Sequence, residues 1–242
     1  MKKFTKILTA VAALSMATAI GFTFAACGGG GTVVKDGVLE AEYAVLYGEQ
    51  AGQGGGSPIT VETGPTYKDG VAEGPEATTI GYFSTAGQSL TFTITSNKEC
   101  DATIKLVAAS ASMGMVGDWS DWANMKFVLN PIDLAAATTG ADATIKLTNN
   151  GGDAIALTGT LPGLDPFDMN APGAWKYLGE GSGTIHLVKG ENVIVLELIG
   201  KGVGINVDKL VIDTNAKLTW TPTDNSDHIV GNNDGGEEDD DY

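Results

Sequence analysis

Arginine is missing from all 242 residues, so every basic side chain is one of 14 lysines. Against them stand 30 aspartates and glutamates, for a formal charge of −16. Without the planar guanidinium fork a chain is poorly equipped to grip phosphate or carboxylate. The acidic excess works in the same direction and argues against nucleic acid and anionic polymers as partners. Only two histidines occur, His186 and His228, and neither stands beside a Ser or Cys motif for nucleophilic catalysis. Cysteine is as scarce, at positions 27 and 100. No segment keeps a sustained helical period, which leaves strands to build the core.

What is present begins with an export signal. Lys2, Lys3 and Lys6 precede an apolar run from Ile7 to Phe24, and Phe24-Ala25-Ala26-Cys27 supplies small residues for cleavage. A cysteine after Ala-Ala resembles a bacterial lipobox, with Phe24 where leucine is usual. The resemblance implies cleavage before Cys27 and transfer of diacylglycerol to its sulfur. Gly28–Gly31 then makes a flexible tether. Cleavage leaves 11 lysines against 30 acids, or −19, and Cys100 as the one thiol. An exported protein without an intrachain disulfide relies on a large core or a metal. Expected boundaries are 1–26 for the signal peptide, 27–36 for lipidated cysteine and tether, 37–215 for the folded domain, and 216–242 for a short extension. Its tail, Asp234–Tyr242, has six acidic residues in nine and reads as a solvated, disordered end.

Residues 37–215 read as strands. Leu90, Phe92 and Ile94 alternate with Thr91, Thr93 and Thr95, the period of a half-buried strand. Further strands are predicted over 37–46, 77–82, 102–108, 126–129, 144–148, 154–160, 184–188, 193–199 and 205–212. Loops are predicted over 50–65 and 161–173, and 110–124 breaks the pattern. Nine or ten short strands with Gly-, Asn- and Pro-rich turns argue an all-β fold, a β-sandwich jelly roll with two antiparallel sheets.

Three features could carry chemistry. Glu40 and Glu42 place two carboxylates on one predicted strand face near the start. Asn206 and Asp208 sit two apart in the very apolar run Ile205–Ile212, where an unpaired carboxylate is costly to bury. Oxygen ligands from both ends of the sandwich could enclose a hard cation such as Ca²⁺; equally, paired glutamates make the wet face of a strand. Tyr82, Trp119, Trp122, Trp175 and Tyr177 form the third group. Aromatic rings at loops stack on the apolar faces of sugars or cap the core.

Leu39-Glu40-Ala41-Glu42-Tyr43 resembles the Glu-Ala-Glu opening of the calcium-containing β-jelly-roll carbohydrate-binding modules, families six and thirty-five. Ile80-Gly81-Tyr82-Phe83 with Leu90-Thr91-Phe92, Gly173-Ala174-Trp175, Gly190-Glu191-Asn192-Val193-Ile194 and Gly204-Ile205-Asn206-Val207-Asp208 are similar to four further motifs, in the same order. The resemblance covers about residues 37–213. It implies Tyr82 and Trp175 as the aromatic walls of a sugar cleft and Asn206 as the amide at its base. It also implies Glu40, Glu42 and Asp208 as ligands of a structural Ca²⁺. The chain departs from the family at Gly87-Gln88-Ser89, where Asp and Trp are common. Ser110–Leu161 is longer than the family leads one to expect, so Trp119 and Trp122 are candidates to line or cover the site.

The leading expectation is a non-catalytic lipoprotein that binds a neutral polysaccharide or oligosaccharide outside the cell membrane, to which it is tied by lipid alone. A surface adhesin or assembly component with a protein partner is the alternative, resting on Trp119 and Trp122. A retaining glycoside hydrolase would need two carboxylates about 5 Å apart, one with a raised pKa, and 30 acids supply many such pairs by chance.

Overall fold

Alternation decides which side chains go inside. In the strand Ser89–Ser96, Leu90, Phe92 and Ile94 are fully buried while the intervening threonines face outward. Gly190–Leu198 repeats the pattern with Ile194, Leu196 and Leu198. Each such side chain contributes roughly 1.5–3 kcal/mol by leaving water.

The structure is a computed structural model. It describes residues 31–48, 59–63, 68–69, 72–73, 78–117, 120–121, 125–163, 177–200, 202–226 and 229–230. Among them, two large sheets face each other across one apolar core, giving a β-sandwich jelly roll. One sheet runs Ile132–Asp133, Thr158–Leu161, Tyr177–Leu187, Cys100–Ser110, Ile205–Asp213, Thr78–Phe83, Thr60–Thr63 and Ile229–Val230 in spatial order. The other runs Thr32–Val33, Leu218–Trp220, Ser89–Ser96, Gly190–Leu198 and Ile145–Asn149. Pairing is antiparallel except where two-residue strands lie parallel to Thr60–Thr63 and Tyr177–Leu187.

Several expectations are corrected. The opening strand is broken: Val38–Glu40 joins the larger sheet, Ala41–Tyr43 forms a 3-10 turn, and Val45–Tyr47 joins the other sheet. One chain segment thus crosses from sheet to sheet, and Glu42 lies on the turn rather than on a strand face. Residues 60–63, placed in a predicted loop, pair with Thr78–Phe83. Met113–Val116, inside the stretch that breaks the pattern, forms a strand that pairs with the expected strand Lys126–Leu129. A helix also exists, Leu134–Thr138, whose first turn is capped by Asp133 accepting from Ala135 N at 2.9 Å. Five residues are too few to show a helical period. Both expected margins contribute strands, since Thr32–Val33 pairs with Leu218–Trp220.

The Gly-x-Asn turn at 190–192 has a clear structural purpose. Gly190 takes φ +101°, which suits glycine, as the chain passes from Tyr177–Leu187 in one sheet to Gly190–Leu198 in the other. Fully buried Asn192 pins this crossing. Its Oδ1 accepts from Val188 N at 2.9 Å and Asn149 Nδ2 at 2.9 Å. Its Nδ2 donates to Val188 O at 2.9 Å and Gly190 O at 3.1 Å. Asn192→Ala would strand these buried partners. It should lower unfolding free energy by roughly 2–4 kcal/mol. The check is a urea titration whose midpoint falls while its m value holds.

Candidate functional site

The strand Ile205–Asp213 pairs along one side with Cys100–Ser110 over its whole length. Its other side is shared. Thr78–Phe83 takes Ile205 and Val207, and Val38–Glu40 takes Lys209, Leu210 and Val211. Asp208 falls where one partner gives way to the other. It is the extra residue of a bulge, because Val207 faces Ala108 and Lys209 faces Val107. The bulge shifts the alternation, so that Val207 and Leu210 both stay in the core while Asp208 and Lys209 lie between them.

Three carboxylates gather there. Lys209 is the register partner of Glu40, so Glu40 lies across from the bulge. Glu42 is held nearby by the 3-10 turn, which closes through Ala44 N donating to Ala41 O at 3.0 Å. Buried Asn225 straps that turn, its Nδ2 donating to Glu42 O at 2.7 Å and Ala44 O at 2.8 Å. Asp208 is itself buried, and its Oδ2 lies 3.1 Å from Lys209 Nζ.

The electrostatics follow from that crowding. Desolvation pushes Glu42 up to about 7, helped by Glu40 and Asp208 and opposed by a backbone hydrogen bond and Lys209. Glu40 is raised mainly by desolvation; Lys209 lowers it and Asp208 raises it. Glu42 Oε2 is buried without a hydrogen-bond partner. Among the described residues, no three acids, histidines or cysteines are disposed, as they stand, to hold a metal ion. The donor chemistry nevertheless suits a hard divalent cation, since all three side chains offer oxygen and one of those oxygens is buried and orphaned.

The cleft residues divide. Tyr82 is a little over half exposed and adopts φ +53°, an uncommon conformation for a non-glycine residue. Its strand is irregular at this point: Gly81 and Tyr82 together oppose Asn206, between the pairs Phe83–Ile205 and Ile80–Val207. Such a bulge re-aims a side chain. Asn206 is buried in the adjoining strand, opposite Ala109. Tyr82 and Asn206 therefore share one end of the larger sheet, two residues along from Asp208. Tyr177 begins the strand Tyr177–Leu187 rather than lying in a loop. Trp119, Trp122, Trp175 and Cys27 lie outside the described residues. Gln88 braces a turn: its Oε1 accepts from Ser84 N and Thr85 N, each at 2.8 Å.

Lys209 and Asn225 were missed by sequence reasoning. Lys209 directly follows Asp208, and only the bulge brings two neighbours together that an unbroken strand would point apart. Asn225 contacts residues 181 and 183 positions away, which no local pattern records.

Comparison with protein-family models and with curated proteins gives no match. Similar solved structures include carbohydrate-binding modules of family 35. One comes from Clostridium thermocellum, at 15% identity over 72% of this chain and 95% of that one, TM-score 0.39. Another is the module of Cellvibrio japonicus Abf62, at 15% identity over 75% and 99%, TM-score 0.40. A third, Xyl-CBM35, was solved with a glucuronic acid-containing disaccharide and matches at 13% identity over 77% and 99%, TM-score 0.42.

The raised Glu42 predicts a pH trend. The folded state keeps its proton up to about pH 7, whereas the unfolded chain releases it near 4.5. The stability it contributes is full below the lower value and is lost as pH rises through the upper one. In chelator, thermal scans between about pH 5 and about pH 8 should show Tm falling by roughly 2–4 °C, the effect of about 1 kcal/mol in a domain of this size. Glu42→Gln should flatten that trend.

Proposed function

We propose that this chain is a non-catalytic glycan-binding module. The observation that carries the reading is Tyr82, an exposed ring held at positive φ by a sheet bulge, directly across from the buried amide Asn206. A strained backbone that presents an aromatic side chain beside a buried polar group is a binding device more than a packing one. Tyr82 and Trp175 stack on the sugar rings, and Asn206 bonds a hydroxyl at the base. Trp119, Trp122 and Tyr177 extend the lining. The five sequence motifs, in family order, support the same assignment.

Glu40, Glu42 and Asp208 hold a structural Ca²⁺ in this reading. The ion neutralises an acid cluster that would otherwise push apart the opening segment and the strand carrying Asn206. The gathering of these acids from distant parts of the chain supports it, as does the orphaned Glu42 oxygen. Lipid on Cys27 keeps the module on the outer side of the membrane. Dense display there raises avidity above that of a single site, which is expected at roughly −4 to −8 kcal/mol, or millimolar to micromolar.

A second reading, a surface that binds protein, has one observation in its favour. Val45 and Tyr47 stand exposed, with Tyr43 close by in the chain.

Affinity electrophoresis decides between them. The protein should be retarded by a neutral polysaccharide such as xylan or glucan and pass freely through a uronic-acid polymer. Tyr82→Ala and Trp175→Ala should each weaken retardation about ten-fold or more, each ten-fold being about 1.4 kcal/mol. Chelator should weaken it as well. No retardation on any glycan, together with capture of a protein ligand that free sugars do not displace, overturns the glycan reading. Cys27→Ser in the exporting host should move the protein from the membrane fraction to the medium; retention in the membrane would overturn the lipid anchor.

A further inference from the structure

The acid cluster already contains a cation. Lys209 Nζ lies 3.1 Å from Asp208 Oδ2, and Lys209 is the Cα register partner of Glu40 across the strand pair. Its side chain is about 30% exposed, against 7% for Asp208, so the pair is largely removed from water. Both glutamates feel that ammonium as the charge that eases their ionisation. The arrangement depends on the bulge at Asp208, because consecutive residues in a regular strand project to opposite faces.

One ammonium cannot balance three carboxylates. Once the glutamates ionise the cluster carries a negative excess, and Glu42 Oε2 is left buried with no hydrogen-bond partner. A divalent cation supplies the missing charge, but it needs the Asp208 oxygen that Lys209 now holds.

We propose that Lys209 is a tethered counter-ion that competes with divalent metal for Asp208: it closes the cluster in the metal-free protein and withdraws when the ion binds. The lysine thereby sets the cluster's metal affinity. This rests on the metal reading above, and the experiment separates the two. A ligand that must displace an internal contact binds more weakly by the cost of breaking it. A side chain as long and flexible as lysine reaches solvent once released.

Calcium titration of the full chain by calorimetry, with wild-type protein and Lys209→Gln, reads the competition directly. Removing the ammonium should tighten Ca²⁺ binding about ten-fold, the effect of a partly buried ion pair. In chelator Lys209→Gln should melt below wild type, and saturating Ca²⁺ should close the gap. Lys209→Arg, which keeps the charge, should behave like wild type and separates charge from packing. A wild-type titration without heat but binding by Lys209→Gln would support the proposal in its strongest form, exclusion of the ion by the lysine. Equal affinity in wild type and Lys209→Gln overturns the competition and leaves the metal reading standing. Absence of binding in both overturns the two together. An independent measurement needs no variant: acetylation of Lys209, followed by peptide mass spectrometry, should speed up when Ca²⁺ is added to wild-type protein. An unchanged rate at calcium saturation overturns the release of the lysine.

Discussion

Gathering three carboxylates, one buried and two half-buried, beside one ammonium is the constraint around which this sandwich is arranged. Asp208 cannot lie in the apolar core, and the bulge that extracts it from the strand's alternation lets Val207 and Leu210 remain there. The same bulge marks the point where the strand Ile205–Asp213 exchanges one neighbour for another. Were Asp208 simply to follow the regular pleat, Lys209 would point to the other face and the cluster would lose its internal positive charge.

Much of the surrounding architecture serves to bring Glu40 and Glu42 to that point. The opening segment leaves the larger sheet at Glu40, turns through Ala41–Tyr43 and enters the other sheet at Val45. Asn225 holds the turn by two backbone carbonyls, and Thr223 N adds a bond to Tyr43 O at 2.9 Å. Trp220 packs against Tyr43 edge-on, with ring centroids 6.4 Å apart, and stacks on Phe92. The beginning and end of the sandwich are thus interlocked, and the charge state of the cluster acts on both. Asn206 and Asp208 share a strand, which places the cluster two residues along from the end that carries the exposed Tyr82.

Strand content was largely legible because burial on one face writes a period of two into the chain. Leu90, Phe92 and Ile94 displayed it and lie in the core, as do Ile104 and Leu106. The break in the opening strand was not legible, since Leu39-Glu40-Ala41-Glu42-Tyr43 alternates well enough to pass for an unbroken strand. Only the demand that one segment serve two sheets turns it into a 3-10 corner. The helix Leu134–Thr138 was hidden by its length, although Asp133 is an ordinary capping residue. Gln88 shows another limit: the sequence marked Gly87-Gln88-Ser89 only as a departure from a motif, and the structure shows its side chain folding back onto its own turn.

The sequence alone determined that this would be a strand-built, arginine-free, acidic protein, because composition and short-range alternation are local properties that any window of the chain carries. It also singled out Asn206 and Asp208 as polar groups in an apolar run, each a cost needing a partner, and Glu40 and Glu42 as a pair of carboxylates near the start. The tertiary structure alone decided who the partners are. Lys209 meets Asp208 through a one-residue change of register, and Asn225 meets Glu42 across 183 positions. Register and long-range closure depend on how whole strands pair, and pairing is settled by the summed burial of both sheets rather than by any single residue.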